Sequence, residues 1–187
     1  MNCVFLDRDG TLITHRPYLS DPACVNLLPT VIEGLREFIS AGCKLFLHSN
    51  QSGIGRGYFS LADAIACNDE MLQQIGLGPE LFAGICLCPE APDQPVVYRK
   101  PSPRYALEII AKYNLTKRDV CYLGDNISDL LTARNIGCSG FGISTGVHDL
   151  LPMLRDSGLA NQFPIFSSFA DAAKHAIAHF QAGNAGD

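Results

Sequence analysis

The chain has 187 residues, 47% hydrophobic and 18% charged, with a formal net charge of −5. That length buries one good core, so one domain over residues 1–187 is expected. An acidic balance without a basic block excludes general nucleic-acid and anionic-membrane binding, and no run reaches the roughly 18 apolar residues of a membrane span. The N-terminus has no signal-like apolar segment, so a soluble cytoplasmic protein is expected. Its eight cysteines then read as reduced, buried small hydrophobes rather than as disulfides.

The first predicted strand, Asn2 to Leu6, ends in Asp7-Arg8-Asp9-Gly10-Thr11. Residues i and i+2 of an extended chain project to one face, so Asp7 and Asp9 can share one small volume. Two such carboxylates repel, and a hard divalent cation such as Mg²⁺ answers that repulsion. Residues 10–29 read as a loop broken by Pro17, Pro22 and Pro29. A helix follows from about Thr30, with Val31, Leu35, Phe38 and Ile39 inward and Gly42 as its stop.

Cys43 to His48 is the second strand, followed by the polar, glycine-rich run Ser49 to Gly57. Ser60-Leu-Ala-Asp63 has the form of a capping box and opens a helix to about Ile75. Ala83 to Cys88 is the third strand, and a proline-broken loop leads to Arg99-Lys100-Pro101. Ser102 as N-cap and Pro103 at the first helical position start a helix with Leu107, Ile110 and Ala111 inward. Val120 to Leu123 is strand four, Gly124 to Asp129 opens a short helix to Ile136, and Cys138 to Ile143 and Pro164 to Phe166 are strands five and six. The last helix sets Phe169, Ala173, Ala176 and Phe180 on one face. His175 and His179 share a face at i, i+4 and receive no role. Alternating strands and helices predict an open, mostly parallel α/β sheet with helices on both faces, and ligands beyond the carboxyl ends of its strands.

Four polar clusters fall at those ends: Asp7 and Asp9, Ser49 and Asn50, Lys100, and Asp125 with Asp129. A carboxylate nucleophile, a metal, donors for phosphate oxygens and a lysine suit phosphoryl transfer. In order and spacing these segments resemble the four motifs of the haloacid dehalogenase superfamily. Asp-Arg-Asp-Gly-Thr, Asn-Gln-Ser-Gly-Ile-x-Arg-Gly and Arg-Lys-Pro together resemble its small-cap branch, which holds heptose 1,7-bisphosphate 7-phosphatases and histidinol-phosphate phosphatases. The resemblance implies a Rossmann-like three-layer α/β/α sandwich without a separate cap domain. Residues 10–29, 51–59 and 89–99 would be the loops that cover the site.

The resemblance further implies a Mg²⁺-dependent phosphomonoesterase, most directly acting at C7 of heptose 1,7-bisphosphate in surface-polysaccharide precursor synthesis. Histidinol phosphate or another small sugar phosphate is the alternative substrate. Asp7 would be the nucleophile, Asp9 the general acid and base, and Ser49 and Lys100 the phosphate-binding pair. Asp7, Asp125 and the Asp9 carbonyl would hold Mg²⁺, with Asp129 orienting Lys100 or a metal-bound water; Asp129 also reads as a first-turn helix residue. Arg8, Arg16, Tyr18, Asn50, Gln51, Ser52, Arg56, Arg99 and Asn126 are the candidate substrate contacts. The implied partner is a small phosphorylated metabolite, bound by a monomer. A phospho-acceptor receiver domain is the rival from another class, and Asp9, a second carboxylate two residues on, argues against it.

Relatives in this branch often carry a zinc loop, Cys-x-His and then Cys-x-Cys, before Arg-Lys-Pro. Here only Cys88 remains of it, with Glu90, Val96 and Tyr98 at the other ligand positions. Zinc is not expected in that loop, which should pack instead through Pro92, Pro95, Val96 and Tyr98.

Overall fold

The computed structural model describes residues 1–147 and 149–184. Six strands form one sheet in the order β3-β2-β1-β4-β5-β6. They are β1 Cys3–Leu6, β2 Lys44–Asn50, β3 Phe82–Cys88, β4 Val120–Gly124, β5 Ser139–Ile143 and β6 Ile165–Phe166. Every pairing is parallel. The helices are α1 Val31–Ser40, α2 Ser52–Gly55, α3 Leu61–Ile75, α4 Arg104–Tyr113, α5 Ile127–Ile136, α6 Leu150–Asp156 and α7 Phe169–Asn184.

Alternation along the strands divides the core between two faces. Val4, Leu6, Leu45, Leu47, Cys121 and Leu123 join α1, α3 and α7 in one cluster. Cys3, Phe5, Phe46, Val120 and Tyr122 join α4 and α5 in the other. Burial on both sides explains why these strands read as near-continuous apolar runs. The three-layer α/β/α architecture of the sequence reading is therefore present. Among the described residues no second sheet or bundle stands over the strand ends, and no helix is long and apolar enough to cross a membrane.

Several expectations need correction. Ile39 is 46% exposed and Leu107 43%, and Ala111 is exposed too. Helix α4 is turned so that Tyr105, Ala106, Ile109 and Tyr113 meet the sheet. Tyr105 and Tyr113 set this rotation, lying edge-on against Phe5 and Phe46. The Ser102 hydroxyl donates to the Val97 carbonyl at 2.8 Å and also accepts the Arg104 N–H at 3.4 Å, so it meets the first turn of α4 as expected, although Pro103 is the residue that directly precedes the helix. Helix α6, with Pro152 tolerated in its first turn, was not anticipated. The eight cysteines are all free, as expected, but only Cys3, Cys67, Cys88 and Cys121 are fully buried.

The segment 89–99 also packs differently from expectation. Pro92, Pro95 and Val96 face solvent. The loop is held by polar contacts instead: Glu90 Oε1 accepts from the Val97 and Tyr98 N–H groups at 3.2 and 2.8 Å, and Gln94 Oε1 accepts from Ala91 N–H. Tyr98 alone is partly enclosed, its ring under Arg104 and its hydroxyl donating to Glu108. Backbone groups of a short loop must be satisfied somewhere, and here carboxylate and amide side chains do it.

Candidate active site

The site is built where β1 and β4 lie side by side and the sheet order changes direction, the position at which open α/β sheets bind ligands. The Asp7 N–H donates to the Leu123 carbonyl, which ties the end of β1 to the end of β4. Asp7 therefore faces Asp125, and Asp129 reaches the same volume from the first turn of α5. One oxygen from each of these three buried carboxylates lies within 4.8 Å of the other two.

Glycines clear the space. Gly10 has φ +85°, a left-handed conformation, and a Cβ there would strike the Asp125 carboxylate. Thr11, fully buried, accepts the Asp125 N–H at 3.1 Å and donates to its Oδ1 at 3.4 Å. Thr145 donates to the Gly10 carbonyl at 2.7 Å. Thr11 and Thr145 were missed as site residues. Their signal, a hydroxyl aimed at a strand-end backbone from a distant loop, is not present in local sequence.

Lys100 reaches this volume from the far side of the sheet. Its Nζ donates to Asp7 Oδ1 at 2.7 Å and to Asp129 Oδ1 at 2.5 Å. Asn50 clamps the lysine backbone, accepting Lys100 N–H at 2.8 Å and donating to its carbonyl at 3.1 Å. Burial opposes the lysine charge, yet Asp129 and Asp7 outweigh it, and Lys100 is held protonated. Asp129 also accepts the Asn126 N–H at 3.0 Å and completes the capping box of α5. Both readings of Asp129 thus describe the same side chain.

One lysine does not balance three buried carboxylates. Burial, and then the charges of Asp7 and Asp129, push Asp125 up to about 9. Asp129 is pushed to about 6 by burial, against the pull of Lys100. A clustered all-oxygen donor set with uncompensated negative charge fits a hard divalent cation.

Asp9 is oriented by a separate set of groups. Arg8 Nε and Nη2 donate to it at 3.0 and 3.3 Å, and Gln51 Nε2 donates at 2.9 Å. Ser49 Oγ donates to the same carboxylate at 3.4 Å and accepts from Gln51 Nε2 at 2.8 Å. Arg8 is fully buried, with Nη1 on Asn68 Oδ1 at 2.9 Å. The expectation that Arg8 contacts substrate therefore fails, because its donors are spent inside the protein. Asn68, on α3, is the buried partner that sequence reasoning missed.

The carboxylates open into a cleft of two adjoining lobes. One, of about 330 Å³, is walled by Asp7, Asp9, Ser49, Arg99, Lys100 and Asp125, with Asn126 at its rim. The second, of about 280 Å³, takes Arg16, Tyr18, Gln51 and Phe59 among its walls. His15, Asn50 and Ser52 border both. The structure thus gathers the candidate residues with two exceptions, the buried Arg8 and Arg56, which lines neither lobe. His15 had not been singled out. Away from the cleft, His175 and His179 pack against Phe141, and His179 Nε2 meets Ser139 Oγ at 2.7 Å.

Residues 97–172 match the HAD-hydrolase-like family model. The chain is 32% identical over 136 residues to a D-glycero-beta-D-manno-heptose-1,7-bisphosphate 7-phosphatase of Helicobacter pylori, covering 71% of this chain and 76% of that one. The chain belongs to the HAD-like phosphatases. A phosphatase of the same name from Bordetella bronchiseptica is 29% identical over 147 residues, covering 78% of the enzyme and 82% of that relative. The enzyme also superposes on the crystal structure of a D,D-heptose 1,7-bisphosphate phosphatase from B. bronchiseptica complexed with magnesium and phosphate. That match has a TM-score of 0.84 at 27% identity and covers 95% of the enzyme and 99% of the other chain.

Proposed function

We propose that this enzyme hydrolyses the C7 phosphate of D-glycero-D-manno-heptose 1,7-bisphosphate through an aspartyl-phosphate on Asp7. One observation carries the reading: a single cleft joins a reacting lobe at Asp7 and Asp9 to cations that the reacting centre does not use. Lys100 is committed to Asp7 and Asp129. Among the described residues the Arg99 guanidinium donates to the Glu90 carbonyl, at 3.3 Å, and Arg16 stands exposed in the adjoining lobe. A substrate with a second anionic group uses such cations, whereas a simple monophosphate does not.

In the first step an Asp7 carboxylate oxygen attacks phosphorus. The bond from phosphorus to the C7 oxygen breaks, and that oxygen takes the bonding pair and a proton from Asp9. In the second step Asp9, now a carboxylate, removes a proton from water as the water oxygen attacks phosphorus, which returns the Asp7 carboxylate and frees phosphate. Ser49 and Lys100 bind phosphoryl oxygens throughout, and Arg8 with Gln51 keeps Asp9 aimed. The side chains of Asp7 and Asp125 and the Asp9 carbonyl would hold Mg²⁺, which neutralises charge on the transferred group.

The test is phosphate release from a panel of both heptose bisphosphate anomers, histidinol phosphate and simple sugar monophosphates, with Mg²⁺. The heptose bisphosphates should show the highest kcat/KM. A higher value for histidinol phosphate or for a monophosphate overturns the substrate assignment and leaves the chemistry standing.

A further inference from the structure

A second group of ligand-type side chains lies behind the site, on the sheet face covered by α4. His48 of β2 pairs with Cys86 of β3, and Cys88 follows two residues later on the same face. The two Sγ atoms are 3.7 Å apart. One imidazole nitrogen and both sulfurs fall within 4.8 Å of one another. Two thiolates bound at about 2.3 Å to one tetrahedral zinc sit about 3.8 Å apart, so the sulfurs already have the spacing of a shared ligand edge.

His48 is also held as metal-bound histidines are. Its Nε2 lies 2.9 Å from the Tyr98 carbonyl, which accepts an N–H there and leaves the Nδ1 lone pair available. That lone pair now meets the Tyr122 hydroxyl at 2.9 Å, the contact a cation would replace.

The surroundings supply an independent observation. Among the described residues two buried side-chain polar atoms lack a hydrogen-bond partner, Glu90 Oε2 and Tyr105 Oη. Both belong to residues bordering this cluster. Tyr105 packs edge-on against His48, with ring centroids 5.2 Å apart, and Glu90 is close enough to act electrostatically on both thiols. Glu90 stands outside the group of atoms within 4.8 Å, so the orphan that borders the cluster is the buried Tyr105 hydroxyl, a polar group that the protein itself leaves unpaired.

We infer that His48, Cys86 and Cys88 form a three-ligand site for a thiophilic divalent cation such as Zn²⁺, with the fourth position left to solvent. The set is Cys₂His, which suits zinc and not magnesium. It is built from two strands, and shares only Cys88 with the loop pattern that the sequence lacks. Binding releases the two thiol protons to solvent. Through the His48 contact with the Tyr98 carbonyl the cation would hold residues 89–99 to the sheet just before Arg99 and Lys100, so its role is positional.

Cobalt(II) is the probe. The reduced, chelator-treated full chain is titrated with Co²⁺ in excess Mg²⁺. Saturation at one Co²⁺ per chain is expected, with thiolate-to-cobalt charge-transfer bands in the near ultraviolet and strong visible absorption from tetrahedral coordination. One equivalent of Zn²⁺ should erase both and raise the Tm. Cys86→Ser should lose the charge-transfer bands and the zinc-dependent rise in Tm while keeping Mg²⁺-dependent phosphatase turnover. His48→Gln should keep the thiolate bands at lower affinity. Reduced protein that takes up no Co²⁺, a thiolate-free octahedral spectrum, or bands that survive in Cys86→Ser would overturn the inference. So would a Cys86–Cys88 disulfide that, once reduced, leaves a chain unable to bind metal.

Discussion

Two clusters of cation-binding groups share this sheet, and they are built on opposite terms. Asp7, Asp125 and Asp129 stand beyond the ends of β1 and β4, where the cleft is open and a phosphate can join the coordination. His48 and Cys86 lie two residues back from the ends of β2 and β3, and Cys88 closes β3, all on the face under α4 and none of them in the walls of the cleft. The first offers hard oxygen donors around a buried lysine, and the second offers soft sulfur and nitrogen beside an orphaned tyrosine hydroxyl. The difference lies in depth along the strand. Groups past the carboxyl edge are free to do chemistry, while groups within the pleat can only hold the edge in place.

The largest test of that contrast is Asp7→Asn. An amide is a poor nucleophile and a poor Mg²⁺ ligand, so turnover should fall by more than the roughly 10⁴-fold upper range for a lost general acid. Single-turnover assays should show no phosphoenzyme. Asp9→Asn comes next, with kcat lower by about 10² to 10⁴-fold and the inhibition constant for inorganic phosphate unchanged. A normal kcat in Asp9→Asn would reduce Asp9 to a residue of the metal site.

Arg99→Ala should act on recognition alone. Losing one charged hydrogen-bond partner costs about 1.5–3 kcal/mol, which corresponds to a KM for a bisphosphate higher by roughly 10 to 150-fold. A simple monophosphate should show little change. Equal losses on both substrates would assign Arg99 to the transferred phosphate or to the shape of residues 89–99.

The first cluster was legible in the sequence and the second was not, for a physical reason. Asp7 and Asp9 declare themselves by a two-residue spacing, Asp125 and Asp129 by a glycine and a helix start, and Lys100 by its neighbours. Each signal is local, and strand polarity alone brings the four segments to one edge. His48 beside Cys86 depends on the register between β2 and β3, which shifts at Leu45 and Phe46. Slipping a strand by one residue exchanges its faces, so no pattern within either strand reveals that the imidazole and the thiols meet. The rotation of α4 was hidden similarly, since Leu107 and Tyr105 are both apolar enough to face the sheet. Arg8 was a candidate substrate contact from its place between Asp7 and Asp9, and only the Asn68 amide across the fold shows where it points.

The smallest expected effect separates the clusters by pH in metal-free protein. Asp125 rests at about 9 in the fold against 3.8 unfolded, so the folded state holds the extra proton and stability falls as pH rises between those values. His48 has the opposite sign. Burial and then the Lys100 charge lower it to about 3 from 6.5, so the unfolded chain takes up a proton that the fold refuses, and stability falls as pH drops from 6.5 toward 3. Each slope is at most about 1.4 kcal/mol per pH unit. Thermal unfolding of chelator-treated protein should therefore show Mg²⁺ stabilising more at pH 8 than at pH 6, with that difference gone in Asp125→Asn. His48→Gln should flatten the acid limb from pH 6.5 to pH 5 without changing the Mg²⁺ effect at pH 8. If one substitution flattened both limbs, the two clusters would be titrating as a single coupled network, and the division between a reacting edge and a supporting interior would be lost.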